Sequence, residues 1–172
     1  MTHYVEPTQQ KLMEFVEKSS STSSIVMINL LRFRDQADYS GTAKEGVSCS
    51  GARAYDNYGK AIIPLLLEVG GYPIWRGRVN TALIGPSDEP WDEAILVYYP
   101  SRQAFINMIK TQDYSDNLVH RDAGLLDSRL IETHPSFLPV TVLKVIGFIH
   151  RIKGKFKSRQ LSETFKKIGS AE

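Results

Sequence analysis

Four segments of the chain place apolar residues every three to four positions, and this spacing predicts helices. The segments are 8–18, 50–69, the stretch that begins at Pro100-Ser101, and 114–121. Thr8 and Ser50 can cap the first two helices through their side-chain oxygens, and Gly70-Gly71 is a helix stop. Pro64 lies inside the second segment and predicts a kink or a broken last turn there.

Four other segments are rich in β-branched and apolar residues, which predicts strands. They cover 25–33, 74–84, 91–99 and 127–133. The turn sequence Gly85-Pro86-Ser87-Asp88 separates the second strand from the third, so these two should form a hairpin. The resulting order is β-α-β-β-α-β. This order predicts an α+β, ferredoxin-like fold with one antiparallel sheet and both helices on one face.

One face of such a sheet has no helix over it within a single subunit. That face holds enough apolar surface to need a cover, either a second copy or the helices added at the two ends of the chain. Face-to-face pairing of two sheets in a symmetric dimer is a common solution. The pattern therefore predicts a homodimer.

Composition narrows the class of protein. The chain has 172 residues, of which 42% are hydrophobic and 23% charged, and these are values of a globular protein. Cys49 is the single cysteine, which excludes an internal disulfide and a multi-cysteine zinc site. The longest apolar run, 61–67, is too short to span a bilayer, and the first ten residues lack the basic start and apolar core of a secretory signal. We expect a cytoplasmic protein.

Charge is distributed unevenly along the chain. Residues 1–138 carry 13 basic and 17 acidic side chains, a net charge of −4, whereas residues 139–172 carry 8 basic and 2 acidic ones, a net charge of +6. This asymmetry predicts two units. The first is a domain over 1–138 that includes the N-terminal helix, and the second is a basic amphipathic helical extension over 139–172.

The extension joins an apolar helix to a basic stretch. Eight of the thirteen residues of 140–152 are apolar, and Lys144 and Arg151 share a narrow polar face of that helix. Together with these two, the cations that would meet an anionic membrane surface are Lys153, Lys155, Lys157 and Arg159. Alternatively, the helix covers exposed sheet or extends the dimer interface. Nucleic acid is a weaker candidate partner, because the rest of the chain is acidic and contains no recognised binding motif.

The order of the motifs resembles a known family. MINLLRF is followed by YGKAIIPLLLEVGG, by WRGRV, and by a long segment from AILVYYPSRQAF to DSRLI. Over 25–133 the chain is similar to family 1330 of the domains of unknown function, within the dimeric α/β-barrel superfamily. The most specific part is YPSRQAF, followed by Tyr114 and Arg121. Relatives by fold include cofactor-free monooxygenases, muconolactone isomerases, haem-degrading enzymes and stress-response barrels, so the resemblance implies a dimeric barrel but no single reaction.

Large side chains with polar tips are candidates for a small-molecule site between sheet and helices. Tyr55 and Tyr58 lie three residues apart, on the helix face that packs on the sheet. Arg121 or Arg32 could hold a carboxylate or a phenolate through paired hydrogen bonds. The candidate substrate-binding residues are Asn29, Arg32, Tyr55, Tyr58, Trp75, Tyr99, Tyr114 and Arg121. The alternative is that the aromatic residues are simply packed core.

His120 and Arg121 are the candidate catalytic residues. An imidazole titrates near neutral pH and can serve as a general base. The alternative is an inert surface histidine, paired along its helix with Asp116. The four histidines have no metal-ligand spacing, and the chain contains no GxGxxG or phosphate-binding loop, so we expect neither a metal nor another cofactor.

Two functions are compatible with these observations. The first is small-molecule binding or cofactor-independent catalysis, by proton transfer or oxygenation of an aromatic or carboxylated substrate. The second is a non-catalytic homodimeric binding or assembly module that its basic extension recruits to a membrane surface. A polar-lined cavity would favour the first, and a cavity filled by aromatic rings would favour the second.

Overall fold

The structure, a computed structural model, describes residues 4–17, 23–86 and 88–136. Within them the helices are α1 (Gln9–Glu17), α2 (Gly51–Glu68), α3 (Arg102–Ile109) and α4 (Gln112–Gly124). The strands are β1 (Ile25–Phe33), β2 (Tyr72–Arg78), β3 (Glu93–Tyr99) and β4 (Leu125–Thr133). The predicted β-α-β-β-α-β order is confirmed, with its second helical element divided into α3 and α4. The predicted extension over 139–172 lies outside the described residues.

The strands form one antiparallel sheet in the order β2-β3-β1-β4, and the fold is an α+β ferredoxin-like one. β1 is central and pairs with β3 and with β4, and β2 pairs with β3 as the predicted hairpin. Successive side chains of a strand point to opposite faces. Ile25 and Met27 of β1 pack with Ile62 and Leu66 of α2. Odd-numbered residues of β1 therefore point to the side that we call the helix face, and even-numbered ones to the other side, which we call the open face.

Hydroxyl side chains begin the helices by accepting a backbone N–H. The Oγ atoms of Ser50 and Ser101 accept the N–H three residues further along α2 and α3, at 3.3 and 3.1 Å. Thr8 and Thr111 do the same for α1 and α4. This bond satisfies one of the amides that a helix N-terminus leaves without a partner. The predicted caps Thr8 and Ser50 are confirmed.

α2 runs unbroken through Pro64 to Glu68, so the predicted broken last turn is wrong. Proline removes one helical N–H. Ile62 and Leu66 on either side of it are nevertheless buried in the core, and their packing holds this part of the helix in place. Gly70 then ends the helix with a φ of +80°, a left-handed conformation that glycine adopts without strain.

β2 is shorter than the predicted strand over 74–84. It begins at Tyr72 and ends at Arg78. Leu83 and Ile84 lie in the loop that follows and are 92% and 97% exposed. The predicted strand extended to residue 84 because these two residues are apolar, but neither side chain packs on the sheet.

The core between the helix face and the helices sets the position of the candidate site. Leu31, Ile106 and Leu125 are among its fully buried side chains. α2 and α4 approach closely where Gly51 meets Gly124, since a Cβ on Gly51 would come within 2.4 Å of the Gly124 carbonyl oxygen. No helix within the described ranges is long and apolar enough to cross a bilayer.

Candidate functional site

Four tyrosines meet between the helix face and the helices, and we call them the tyrosine cluster: Tyr55 and Tyr58 of α2, Tyr99 of β3 and Tyr114 of α4. Ring centroids are 5.4 Å apart for Tyr55 and Tyr58, and 6.4 Å apart for Tyr58 and Tyr114. The Tyr58 hydroxyl donates to the Tyr114 hydroxyl over 3.5 Å. Tyr58 and Tyr114 both pack against the buried core that contains Tyr99. The structure thus brings these four predicted residues together.

Burial keeps the phenols of the cluster protonated. Removal from water raises the pKa of Tyr55 to about 12, and it raises the pKa values of Tyr58 and Tyr99 well above the usual range of tyrosine. Neighbouring hydroxyls raise these pKa values further, whereas the positive charge of Arg121 lowers those of Tyr55 and Tyr58 in part. At neutral pH the three hydroxyls are therefore hydrogen-bond donors and not bases.

Some polar groups on the helix face make hydrogen bonds to the protein, and others do not. The Asn29 amide donates to the carbonyl oxygens of Met27 at 3.3 Å and Ile95 at 3.4 Å. Tyr55 and Tyr99 are 7% and 5% exposed. Among the described residues, neither of their hydroxyls has a hydrogen-bond partner. These two hydroxyls are thus not engaged by the described protein groups, unlike the Asn29 amide.

Arg121 of α4 lies beside the cluster and is held by the start of the chain. One Nη donates to the Val5 carbonyl oxygen at 2.6 Å and reaches the Ser128 hydroxyl at 3.5 Å. The other Nη lies 3.3 Å from the Asp122 carboxylate. Burial raises the pKa of Asp122, and the charge of Arg121 offsets part of this shift. The guanidinium is therefore partly committed to protein acceptors, one of which belongs to the N-terminal segment.

Residues 4–17, which we call the N-terminal cover, close this side of the molecule. The Tyr4 N–H donates to the Asp127 carboxylate at 2.8 Å, and the Ser128 N–H donates to the Tyr4 carbonyl oxygen at 2.7 Å. Val5 packs against the core cluster that contains Tyr55. Phe15 meets Phe105 edge to face, with the ring centroids 5.5 Å apart. The cover therefore contacts the same apolar walls as the tyrosine cluster.

A part-buried ion pair lies against the cover at its helical end. Arg102 is 8% exposed and donates two hydrogen bonds to Glu132 of β4, at 2.8 and 2.6 Å. Its guanidinium also lies over the Phe15 ring, 4.9 Å from the centroid. A hollow of about 200 Å³ remains where this pair meets Lys11 and Glu14 of α1. Spacing along the sequence gave no signal for this arrangement, because the paired residues lie thirty positions apart.

Trp75 and Arg32 do not join the tyrosine cluster, and their predicted place beside it is wrong. A register shift between Pro73 and Trp75 places Trp75 opposite Leu96, on the open face, where it is 52% exposed. Its indole lies over Gly77, where a Cβ would come within 2.5 Å of the ring. Arg32 is an even-numbered residue of β1, so it also points to the open face.

His120 belongs to a different group of side chains. Its Nδ1 lies 2.7 Å from the Tyr39 hydroxyl, and the two rings meet edge to face. Burial, with a contribution from the charge of Lys44, lowers the pKa of the imidazole. The predicted pairing with Asp116 is wrong, since Gln112 donates to that carboxylate. Tyr39 packs in a separate core cluster together with Cys49, so the described contacts do not connect His120 to the tyrosine cluster.

Two crystal structures of RPA0582, a protein of unknown function from Rhodopseudomonas palustris, are similar to this one. The structure of the methylated protein is 37% identical in sequence, covers 81% of this chain and 98% of its own, and has a TM-score of 0.73. The other is 36% identical, covers 78% of this chain and 98% of its own, and has a TM-score of 0.71. The chain belongs to the RPA0582 family.

More distant similarity reaches other proteins of this fold. A dimeric protein of unknown function and ferredoxin-like fold from Bacteroides fragilis is 10% identical, covers 65% of this chain and 96% of its own, and has a TM-score of 0.41. No family model and no curated protein matches the chain. The chain's membership of family 1330 therefore stays a prediction, whereas its membership of the RPA0582 family is shown.

Proposed function

We propose that this member of the RPA0582 family binds a small aromatic or carboxylated molecule between the helix face and the helices. One observation carries the proposal. Tyr55 and Tyr99 are 7% and 5% exposed, and their hydroxyls have no hydrogen-bond partner among the described residues. Aromatic walls with a few directed donors are typical of small-molecule sites.

The chemistry of the lining selects an oxygen acceptor. Protonated phenols donate to a carboxylate, a carbonyl or a phenolate, and Arg121 adds a positive charge beside them. Movement of the N-terminal cover would release the Nη that now donates to Val5. A bound acid would then take the place of that carbonyl oxygen.

The protonation state of these phenols determines which role they could have in a reaction at this site. The phenols are protonated at neutral pH, so they would stabilise negative charge that develops on a ligand oxygen rather than remove a proton. His120 pairs with Tyr39 instead of lining this space. The rings of Tyr55, Tyr58 and Tyr114 already pack against one another, so binding at this site requires these rings or the N-terminal cover to move. Oxygenation or proton transfer on the bound molecule is the finer form of the proposal.

Titration calorimetry with 1-naphthoate, and with naphthalene as the uncharged comparison, tests this proposal. We expect naphthoate to bind more tightly than naphthalene. Tyr99→Phe keeps the ring but removes one donor, so it should weaken naphthoate binding by roughly fivefold, the value of one neutral hydrogen bond. Tyr98→Phe is the matched control on the opposite face and should leave the affinity unchanged. Equal affinities for both variants, or no binding by the wild type, would contradict the proposal.

A second function, homodimeric association through the open face, has its own support. Trp75 is 52% exposed and Ile131 is 46% exposed on this face, and large exposed apolar patches mark association sites. Ile131→Asp should convert the dimer to a monomer in sedimentation experiments at micromolar concentration. Leu130→Asp is the control, because Leu130 is 49% exposed but points to the helix face. Sedimentation of the wild-type protein as a monomer would contradict homodimeric association through the open face.

A further inference from the structure

One end of the open face differs from the rest of it. Val26, Tyr98 and Tyr72 lie side by side on the three neighbouring strands β1, β3 and β2, and they pack as one cluster. They are 6%, 1% and 2% exposed, whereas Trp75 and Ile131 on the same face are about half exposed. We call the three buried residues the Tyr72–Tyr98 patch.

The described elements do not account for this burial. The described helices pack on the helix face, and only Leu67 of α2 reaches the patch from its edge. The hydroxyls of Tyr72 and Tyr98 are nevertheless shielded from solvent. Their shielding also raises the pKa of Tyr72 to about 12. Side chains on a bare sheet face would remain open to water, so a further layer must lie over them.

We propose that the chain's own segment 140–152 forms this layer as a helix across the Tyr72–Tyr98 patch. The path of the chain favours this occupant. β4 ends at Thr133, which pairs with Val26 at the same end of the sheet, and its hydroxyl donates to the Val26 carbonyl oxygen at 2.8 Å. The described chain continues to Ser136, four residues before the segment begins. The segment therefore begins four residues along the chain from the last described residue, and the described strand leading to it ends beside the patch.

Length and composition also match the patch. The thirteen residues of 140–152 make a helix of about 20 Å, at about 1.5 Å per residue. Crossing from β4 to β2 requires three strand spacings, about 14 Å in all. Ile146 and Ile149 lie opposite Lys144 and Arg151 on a helical wheel, so the helix can place its apolar side on the sheet and its cations toward solvent.

This placement divides the open face between two occupants. The segment covers the Tyr72–Tyr98 patch, and the half-exposed area around Trp75 and Ile131 remains for a second copy. The proposal does not depend on the small-molecule site, which lies on the helix face. It also differs from membrane docking, in which the apolar side of the segment would face lipid and leave the patch bare.

Tyrosine labelling with N-acetylimidazole, mapped by mass spectrometry of the full chain, tests the proposal. We expect Tyr72 and Tyr98 to be protected in the wild type, and Ile146→Asp to raise their labelling severalfold. Lys144→Asp is the control on the polar side of the same helix and should leave the pattern unchanged. Tyr99, the neighbour of Tyr98 on the helix face, should stay protected in both variants and reports that the domain is folded.

Two results would overturn the proposal. The first is unchanged protection of Tyr98 in Ile146→Asp with Tyr99 still protected. The second needs no variant and holds even if Ile146→Asp does not fold. If dilution of the wild type to a monomer exposes Tyr98, a second copy covers the patch instead of segment 140–152. Protection that survives this dilution supports the proposal.

Discussion

Tyr98 and Tyr99 are neighbours on β3 and both are buried, yet they lie in different surroundings. Tyr99 is 5% exposed and packs under described helices, in a cluster of phenols beside Arg121. Tyr98 is 1% exposed on the open face, beyond the reach of those helices except for Leu67. Equal burial therefore has two different origins here. Tyr99 is buried by described helices, in the cluster that we propose binds a ligand, whereas Tyr98 is buried on the face that we propose is covered by segment 140–152 and, around Trp75 and Ile131, by a second copy.

We expect the largest effect from a substitution in the core under the helix face, which tests whether packing there stabilises the domain. Leu31 is 2% exposed and faces the helices, so Leu31→Ala should lower the free energy of unfolding by about 3 kcal/mol through lost packing and a residual cavity. Leu130→Ala, at a site 49% exposed, should cost well under 1 kcal/mol. Urea denaturation gives both values. Equal losses would mean that the core does not lie where the comparison places it.

Alkaline titration probes the phenols on both faces. Burial raises the pKa values of Tyr55, Tyr58 and Tyr99 on the helix face, and of Tyr72 and Tyr98 on the open face. Unfolded tyrosines ionise near pH 10, and the folded ones ionise only above it. The stability that the protonated phenols contribute is thus present below pH 10 and falls as the pH rises from 10 toward 12.

The absorbance of phenolate at 295 nm, followed together with circular dichroism, measures this dependence. The late-titrating phenolates should appear as the fold is lost, rather than before it. Ionisation of all the tyrosines near pH 10 in a protein that keeps its native circular dichroism would contradict the burial on both faces.

Helix α2 provides a smaller test, because it carries Tyr55 and Tyr58. Ser50→Ala removes the hydroxyl that accepts the Arg53 N–H and should cost about 1 kcal/mol in unfolding free energy. Ser50→Asp should restore most of this loss, since aspartate caps helices equally well. Thermal denaturation of the two variants measures the difference. No loss in Ser50→Ala would show that core packing alone fixes the start of α2.

The smallest expected effect concerns His120, which lies apart from both faces. Its lowered pKa means that folding favours the neutral imidazole. The stability from this residue is present above about pH 6.5, the usual value, and is lost as the pH falls below it. Replacement by asparagine should flatten the dependence of Tm on pH between 7.5 and 5.5. An unchanged slope would show that the burial of His120 and the charge of Lys44 do not shift its titration.

Much of the fold could be predicted from local pattern. The run IVMINLLRF gave β1 with its observed bounds, because β-branched residues in a central strand leave little ambiguity. The caps Thr8 and Ser50 followed from their hydroxyls. The spacing of Tyr55 and Tyr58 placed both rings on one side of α2, and Tyr99 and Tyr114 were also predicted site residues, so all four members of the tyrosine cluster were named from the sequence.

The remaining features depend on geometry that local pattern does not contain. A bulge between Pro73 and Trp75 reverses the face of Trp75, and a shift of one residue does this to every later side chain of a strand. The bond between His120 and Tyr39 spans 81 positions, and that between Arg121 and Val5 spans 116. Contacts between such distant residues arise from the tertiary arrangement, which no spacing rule encodes.

The central claim is that the helix face binds a small molecule, and native mass spectrometry of the protein purified from its own cells tests it most directly. We expect a compound with an aromatic or carboxylated group to copurify with the wild type and with Tyr98→Phe, at up to one molecule per subunit. We expect a smaller fraction of Tyr99→Phe subunits to carry the compound. Ligand-free spectra for the wild type, together with no uptake of added 1-naphthoate, would contradict the claim and leave association through the open face as the function of this domain.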